Sequence, residues 1–324
     1  MQSLRYFQSS AVTSAPKSGD PRRQHTVSQG ILRRFTDPST RQLELYDLKF
    51  EKHYLKFPSQ VGFALDFVKH DPVETEQRWQ SVEDELPAFY EALENRSLLD
   101  SAETIDLAKR IIALHVVRSL TRWAVHEVVI ERARDGVVRS LLEKPQILEI
   151  AFRRSTGFYS AGPDSIRQQA ERGADAAVES LNDHKFWQSR LMANIEELNN
   201  FLLPRSIQVL EVCDESNEFL IGDDPAPTLM DGYVGLGPLA GVTYANTTSI
   251  ALPVSPRFAI ALKDEPEWIV ATPEIVHFLN RVELSYAQRR VFYNPNSSLR
   301  PLAQRASAAR GERNPALGPT LISI

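Results

Sequence analysis

With a single cysteine among 324 residues, the chain can form no internal disulfide and no cysteine-based zinc cage. That residue, Cys213, lies in the apolar alternation "SIQVLEVCDES" and reads as strand packing rather than as a nucleophile. No apolar run approaches the roughly 18 residues a transmembrane helix needs, and the N-terminus lacks the charged-then-apolar pattern of a secretory signal. The expectation is a cytoplasmic protein that engages no membrane. The familiar catalytic signatures are also missing. There is no G-x-x-x-x-G-K phosphate loop, no G-x-G-x-x-G after a strand, no H-E-x-x-H on a helix and no G-x-S-x-G elbow. These absences set aside the common nucleotide, dinucleotide, zinc-peptidase and serine-hydrolase chemistries, and they indicate no particular cofactor.

What is present suits a globular protein: at 42% hydrophobic and 24% charged residues, the chain has ample material for a core. A net charge of −5 argues against a surface basic all over, but the charge is unevenly spread. Arg5, Lys17, Arg22, Arg23, Arg33 and Arg34 make the beginning basic, Arg289, Arg290, Arg300, Arg305, Arg310 and Arg313 do the same near the end, and 71–106 is acidic. Such asymmetry builds either a local basic cleft or an ordinary solvated surface.

Along the chain, residues 1–20 read as a mobile arm and 296–324, rich in Pro, Gly, Ser and Ala, as a flexible tail around one domain over 21–295. Val27, Ile31 and Phe35, spaced by four, suit one face of a short helix, with His25, Gln29 and Arg33 as a polar row beside them. "RQLELYDL" and "HYLKFP" predict a hairpin. Helical spacing covers 73–95 and 101–143, the second opening on a serine cap, and recurs over 163–203 with the stripe Trp187, Leu191, Ile195, Leu198 and Leu202. After Pro204, "SIQVLEVC" and "EFLIGD" predict a second hairpin, "TSIALPVSP" and "RFAIALKD" two more strands, and 273–292 a last helix. Helices concentrated in the middle with strands on both sides predict an α+β fold: a helical central region packed with antiparallel strand hairpins from the N-terminal and C-terminal parts.

Several polar groupings could carry chemistry. Glu76 and Glu83, seven apart, fall on one helix face, where they could hold a divalent cation, divide acid and base duties, or form a solvated acidic face. His115, Arg118 and Arg122 share a face of the most apolar helix; a buried arginine needs a partner, so Arg118 is expected to meet one of the two glutamates. "FLIGDDPAP" puts Asp223 and Asp224 just past a strand, a common address for a catalytic carboxylate and equally a common turn.

Taken in order, the H-x-x-x-Q-x-x-L-R-x-F of His25, Gln29, Leu32, Arg33 and Phe35, the E-x6-E of Glu76 and Glu83, Arg118, "IGDDP", "LPVSP" and the closing N-x6-A-x-x-x-V-x-Y from Asn280 resemble the domain-of-unknown-function family 4238 over about 22–295. Ser28 and Asp224 depart from that pattern, where proline and asparagine are usual. The resemblance implies no established activity. It does imply that His25, Gln29, Arg33, Glu76, Glu83, Arg118, Asp223 and Asn280 belong to one constellation.

Two readings follow. In the first the protein is a hydrolytic enzyme acting on nucleic acid, RNA foremost, with a toxin or defence effector held silent by a partner as one form of it. His25 is its general acid or base, since histidine alone titrates unaided near neutral pH; Arg33 and Arg118 hold phosphate, with Gln29 and Asn280 as further substrate contacts; and Glu76, Glu83 and Asp223 orient these groups or bind a metal. In the second it is a non-catalytic binding or regulatory module, and the same residues form a buried polar network. Saturation of His25, Arg118 and Asp223 by protein partners is the feature that separates the two.

Overall fold

The computed structural model describes residues 23–65, 72–159, 162–179, 198, 200–214, 217–230 and 246–311, without the side chains of 72, 74, 122–129 and 309–311. In chain order the elements are β1 (Arg23–His25), α1 (Gln29–Leu32) running into a 3-10 turn (Arg33–Phe35), β2 (Leu43–Asp47), β3 (Lys52–Lys56), β4 (Phe63–Leu65), α2 (Pro72–Glu83), α3 (Leu86–Glu94), α4 (Ala102–Val117), α5 (Leu120–Leu142), α6 (Pro145–Thr156) and α7 (Pro163–Glu179). Then come β5 (Ser206–Glu211), β6 (Ile221–Gly222), β7 (Thr228–Leu229), β8 (Ser249–Pro253), β9 (Phe258–Lys263), β10 (Glu267–Val270), α8 (Pro273–Tyr286), β11 (Arg290–Tyr293) and α9 (Arg300–Gly311). The fold is α+β, with the helices of the central region set against three sheets: β1-β4, β3-β2-β11-β6 and β10-β5-β9-β8-β7. Only β10 and β5 run parallel among the described pairs. No helix of the described residues is long and apolar enough to cross a membrane.

Much of the expected pattern is realised. β2 and β3 form the first hairpin, β8 and β9 another. Ser101 caps α4 by accepting the Thr104 N–H at 3.2 Å, and the helix then buries Leu107, Ala108, Ile111, Ile112 and Val116 against the main core with Ile31, Phe35, Phe89, Ile207 and Ile260. α3 supplies Phe89 and Leu93 to the same cluster.

Five expectations are corrected. His25 ends a strand rather than lying on a helix. The turn at Gly62 holds it there: the Gly62 carbonyl accepts Thr26 N at 2.8 Å and Val27 N at 3.1 Å. Gly62 has φ +66°, and a Cβ on it would stand 2.7 Å from Leu32 Cδ1, so both backbone and space require glycine. The apolar run over 101–143 is two helices, broken at Arg118–Ser119 because Asp224 accepts Ser119 Oγ at 3.0 Å and Thr121 N at 2.9 Å, capping α5 from elsewhere in the chain. The second hairpin does not form: β5 is flanked by β9 and β10, while "EFLIGD" lies along α8, where Asn280 and Glu283 take the N–H groups of Leu220 and Gly222, and β6 pairs with β11. The last predicted helix stops at Tyr286, and its final residues become β11. Finally, the stretch expected to be a flexible tail contains α9, which buries Ala303 and Ser307 and sends Arg300 bidentate to Glu44 at 2.7 and 2.8 Å.

α6 was not anticipated. Cys213, expected to pack in a strand, lies beyond the end of β5 and is exposed. Residues 1–22, the end of the tail from 312, and Trp187, Leu191 and Ile195 of the expected stripe lie outside the described residues, whereas Leu198 and Leu202 are buried.

Candidate active site

The break between α4 and α5 produces the most unusual side chain in the structure. Arg118 ends α4 and is only 2% exposed. Its guanidinium carbon sits 4.5 Å from the centroid of the Trp79 ring, and its Nη1 donates to Glu83 Oε1 at 2.5 Å and to Ser28 Oγ at 3.5 Å. Glu76, Trp79 and Glu83 are spaced i, i+3, i+7 along α2, so one face of that helix supplies both the stacking ring and the two carboxylates. Arg118 and Glu83 thus form the pair expected of them.

Around this pair the chain folds a polar cluster. Ser28, the residue before α1, donates its hydroxyl to Glu83 Oε1 at 2.6 Å and its N–H to His115 Nε2 at 3.3 Å. His115 is completely buried on α4, with Nδ1 2.8 Å from the Ile111 carbonyl. Nδ1 therefore carries the proton and Nε2 accepts, which is the neutral tautomer. Burial drives the His115 pKa down to about 4, with Arg118 adding to the effect against the Ile111 carbonyl and Glu83, so the ring is uncharged at neutral pH.

His25 stands at the partly exposed side of this cluster. Its Nε2 is 3.1 Å from the Gln29 side-chain amide, and its ring meets Phe63 edge-on at 6.0 Å between centroids. Burial lowers its pKa; Glu83 opposes, while Arg118 and Arg23 reinforce. Glu83 shows the reverse contest: burial pushes its carboxyl up, but Arg118 and the Ser28 hydroxyl pull it below its ordinary value. Burial raises Glu76, only partly offset by Arg118, with the Glu83 charge adding to the rise.

Two atoms of this centre are buried without a partner, Arg118 Nε and Glu76 Oε1, one a donor and the other an acceptor. Orphaned buried polar atoms are costly, and a pair of opposite type in one centre is a place where a ligand or water completes the hydrogen bonding.

The remaining predicted residues lie apart from this centre. Arg33 opens the 3-10 turn and is exposed rather than facing inward, because that turn does not continue the four-residue spacing on which the expected row depended. The cation that acts on His25 beside Arg118 is Arg23. Asp223 is buried and saturated: Oδ1 accepts Gln288 N at 2.7 Å, and Oδ2 accepts the N–H groups of Arg289 and Arg290, each at 3.0 Å. Asn280 clamps Leu220 N and the Glu218 carbonyl to α8. Both read as parts of the frame. The Arg122 side chain lies outside the described residues. Among the described residues no three His, Cys, Asp or Glu side chains converge in a way that could hold a metal ion, so the metal-binding variant of the expectation has no ligand set there.

Ser28 and Trp79 were missed. Trp79 carried a legible signal, since it sits between the two glutamates at helical spacing. Ser28 carried none, because its partners come from helices far along the chain.

No curated protein and no solved structure matches the chain. The family described as "Protein of unknown function (DUF4238)" matches residues 23–297, which include every residue of the centre. The protein belongs to the DUF4238 family.

Proposed function

We propose that the Arg118 centre is the active site of a hydrolytic enzyme acting on nucleic acid, RNA first, with His25 as general base, Glu76 as general acid and Arg118 facing the phosphate. The observation that carries the reading is the pair of orphaned atoms, Arg118 Nε and Glu76 Oε1, in a centre whose open side holds a neutral histidine. A base and an acid beside one cation are what cleavage by an internal nucleophile requires. The ribose 2′-oxygen gives its proton to His25 and bonds to phosphorus. The bond to the 5′-oxygen breaks, that oxygen takes a proton from Glu76, and a 2′,3′-cyclic phosphate and a 5′-hydroxyl result. The raised Glu76 and the lowered His25 give this chemistry an acidic optimum, since activity falls as Glu76 ionises at higher pH and as His25 is protonated at lower pH.

The test is incubation of the purified protein with total RNA, tRNA and single- and double-stranded DNA, with magnesium, manganese or chelator, beside folded His25→Ala and Glu76→Gln variants. Metal-independent cleavage of RNA that both variants lose, ending in cyclic phosphate, is expected. Inactivity of the wild type across pH 4 to 8, or equal cleavage by the variants, refutes it.

A second reading rests on the near-complete burial of Arg118: Ser28, Glu83, Arg118 and His115 form a network tying the β1–α1 junction to α2 and α4, as in a non-catalytic module. On that reading His25→Ala changes no reaction, and Glu83 variants change only stability.

A further inference from the structure

The chain is acidic overall, yet one edge of it is basic and aromatic. β3 is the outer strand of the sheet β3-β2-β11-β6. In the antiparallel register Lys52, Tyr54 and Lys56 stand opposite Asp47, Leu45 and Leu43 and so share their face. Leu43 and Leu45 are covered by the core, but the outer strand is not: Lys52 is exposed and Tyr54 is 40% exposed. Pairing of β2 with β11 brings arginines from the far end of the sequence to the same place. Arg290 lies opposite Asp47, and Arg289 donates to Asp47 Oδ2 at 2.8 Å while its guanidinium carbon sits 4.9 Å from the centroid of Phe50 in the β2–β3 turn. Phe50 is 55% exposed; Lys49 Nζ lies 5.8 Å from its ring centroid, and Lys56 Nζ is equally far from that of Tyr54.

Lysines on an edge strand ordinarily discourage edge-to-edge pairing, which accounts for Lys52 and Lys56. It does not account for two flat rings left open beside them, each with a cation at its face. Asp47 is buried and already taken by Arg289 and the turn N–H groups of Lys49 and Phe50, which leaves the exposed Glu51 of the turn against Lys49, Lys52 and Lys56. Cations alternating with exposed rings fit a ligand that offers regularly spaced anions and flat faces together. Residues two apart on a strand repeat about every 7 Å, comparable to the phosphate spacing of an extended single strand. A duplex hides its base faces; a bilayer is the competing partner, since Leu55 and Phe57 are exposed besides Phe50, but it does not need the cations to alternate with rings along the strand.

We propose that the outer face of β3 and the β2–β3 turn bind single-stranded nucleic acid, with bases stacked on Phe50 and Tyr54 and phosphates held by Lys49, Lys52 and Lys56. The surface shares a ligand class with the function proposed above but none of its residues, so either can fail alone.

The experiment is fluorescence anisotropy of a labelled short oligouridylate with the full chain carrying His25→Ala, which keeps the probe intact. Saturable binding that weakens as salt rises is expected. Phe50→Ser and Tyr54→Ser should each weaken it by roughly ten-fold, and Lys52→Glu with Lys56→Glu should flatten the salt dependence. Circular dichroism and unshifted melting show that these exposed substitutions leave the fold intact. No saturable binding, unchanged affinity in Tyr54→Ser, or equal affinity for duplex RNA, heparin or phosphatidylserine vesicles overturns the proposal. Saturable binding here together with a wild type that cleaves no RNA supports this surface while sinking the enzyme reading.

Discussion

Glu83→Ala isolates the energetics of the centre. Arg118 is 2% exposed and Glu83 18%, and the carboxylate accepts two short hydrogen bonds, from Arg118 Nη1 and Ser28 Oγ. Removing it leaves a buried guanidinium on Trp79 with only a 3.5 Å contact to Ser28 Oγ and Glu76, which burial pushes toward its neutral form, besides a buried hydroxyl without its acceptor. Breaking a buried pair by deleting one partner costs about 3–5 kcal/mol, far above the roughly 0–1 kcal/mol of an exposed pair. For a chain of this size that is a fall in melting temperature of roughly 4–7 °C. The companion variant, Glu83→Ala with Arg118→Met, removes the stranded charge and lays a thioether on Trp79, so it should recover to within about 2 kcal/mol of the wild type. Urea denaturation of the wild type, both single variants and the double variant completes the cycle. A Glu83→Ala cost under about 1 kcal/mol, or a double variant no more stable than Glu83→Ala, would show that Arg118 is solvated in solution and that the buried-pair argument fails.

Two further outcomes follow from the frame around the centre. Glu283 is fully buried with its Oε2 2.7 Å from Gly222 N; burial first, then Asp224 and Asp223, hold its pKa well above the usual carboxylate value, and burial with Asp224 holds Asp223 at about 6 despite its three N–H donors. Both groups bind their protons more tightly folded than unfolded, so their contribution to stability is whole below the unfolded values near 4 and is lost as pH rises through about 6 for Asp223 and through the raised pKa of Glu283. Glu283→Gln keeps an acceptor for Gly222 and removes one of these protons; relative to the wild type, which shares the opposing trend of the buried histidines, it should lose less stability between pH 5 and pH 8 in urea titrations. Equal losses would refute that sign. At the other end of the fold, Arg300→Ala strips the bidentate partner from Glu44, which is nearly inaccessible and keeps Tyr293 OH at 3.1 Å. A cost of about 1.5–3 kcal/mol is expected from the lost charge-assisted hydrogen bonds, and a melting curve coincident with the wild type would return this part of the chain to the flexible tail the sequence suggested.

What could be read in advance divides along one physical line. Apolar periodicity is local, and it located α3, α4, α7, the β2–β3 hairpin and the β8–β9 pair, because each buries a face whose spacing depends only on its own backbone. Interruptions of that periodicity are not local. Leu114 and Val116 lead straight on to Leu120 in an unbroken apolar pattern, and what stops the helix at Arg118 is a carboxylate more than a hundred residues away, Asp224, on the N–H of Thr121. The same limit explains the errors around the site. Assigning His25, Gln29 and Arg33 to one row assumed one helix, whereas Gly62 holds His25 in a strand and a 3-10 turn carries Arg33 into solvent. Asp223 had the right address at a strand end, but the chain entering β11 folds over it and gives it three backbone amides.

Charge followed the same rule. The basic ends of the sequence were visible, but which cations meet was decided by the β2–β11 register, which sets Arg290 against Asp47, with Arg289 beside it, while Arg300 turns to Glu44 on the opposite face. The centre and the β3 edge therefore have a common origin. Each exists because an arginine was delivered by a distant element to a buried acid, and the two differ in what was left over. At Arg118 the remainder is an orphaned donor beside an orphaned acceptor, which asks for a ligand of defined hydrogen-bonding pattern. At β3 it is open rings beside lysines, which asks only for stacking and negative charge. If both proposals hold, one polymer of bases and phosphates meets both demands.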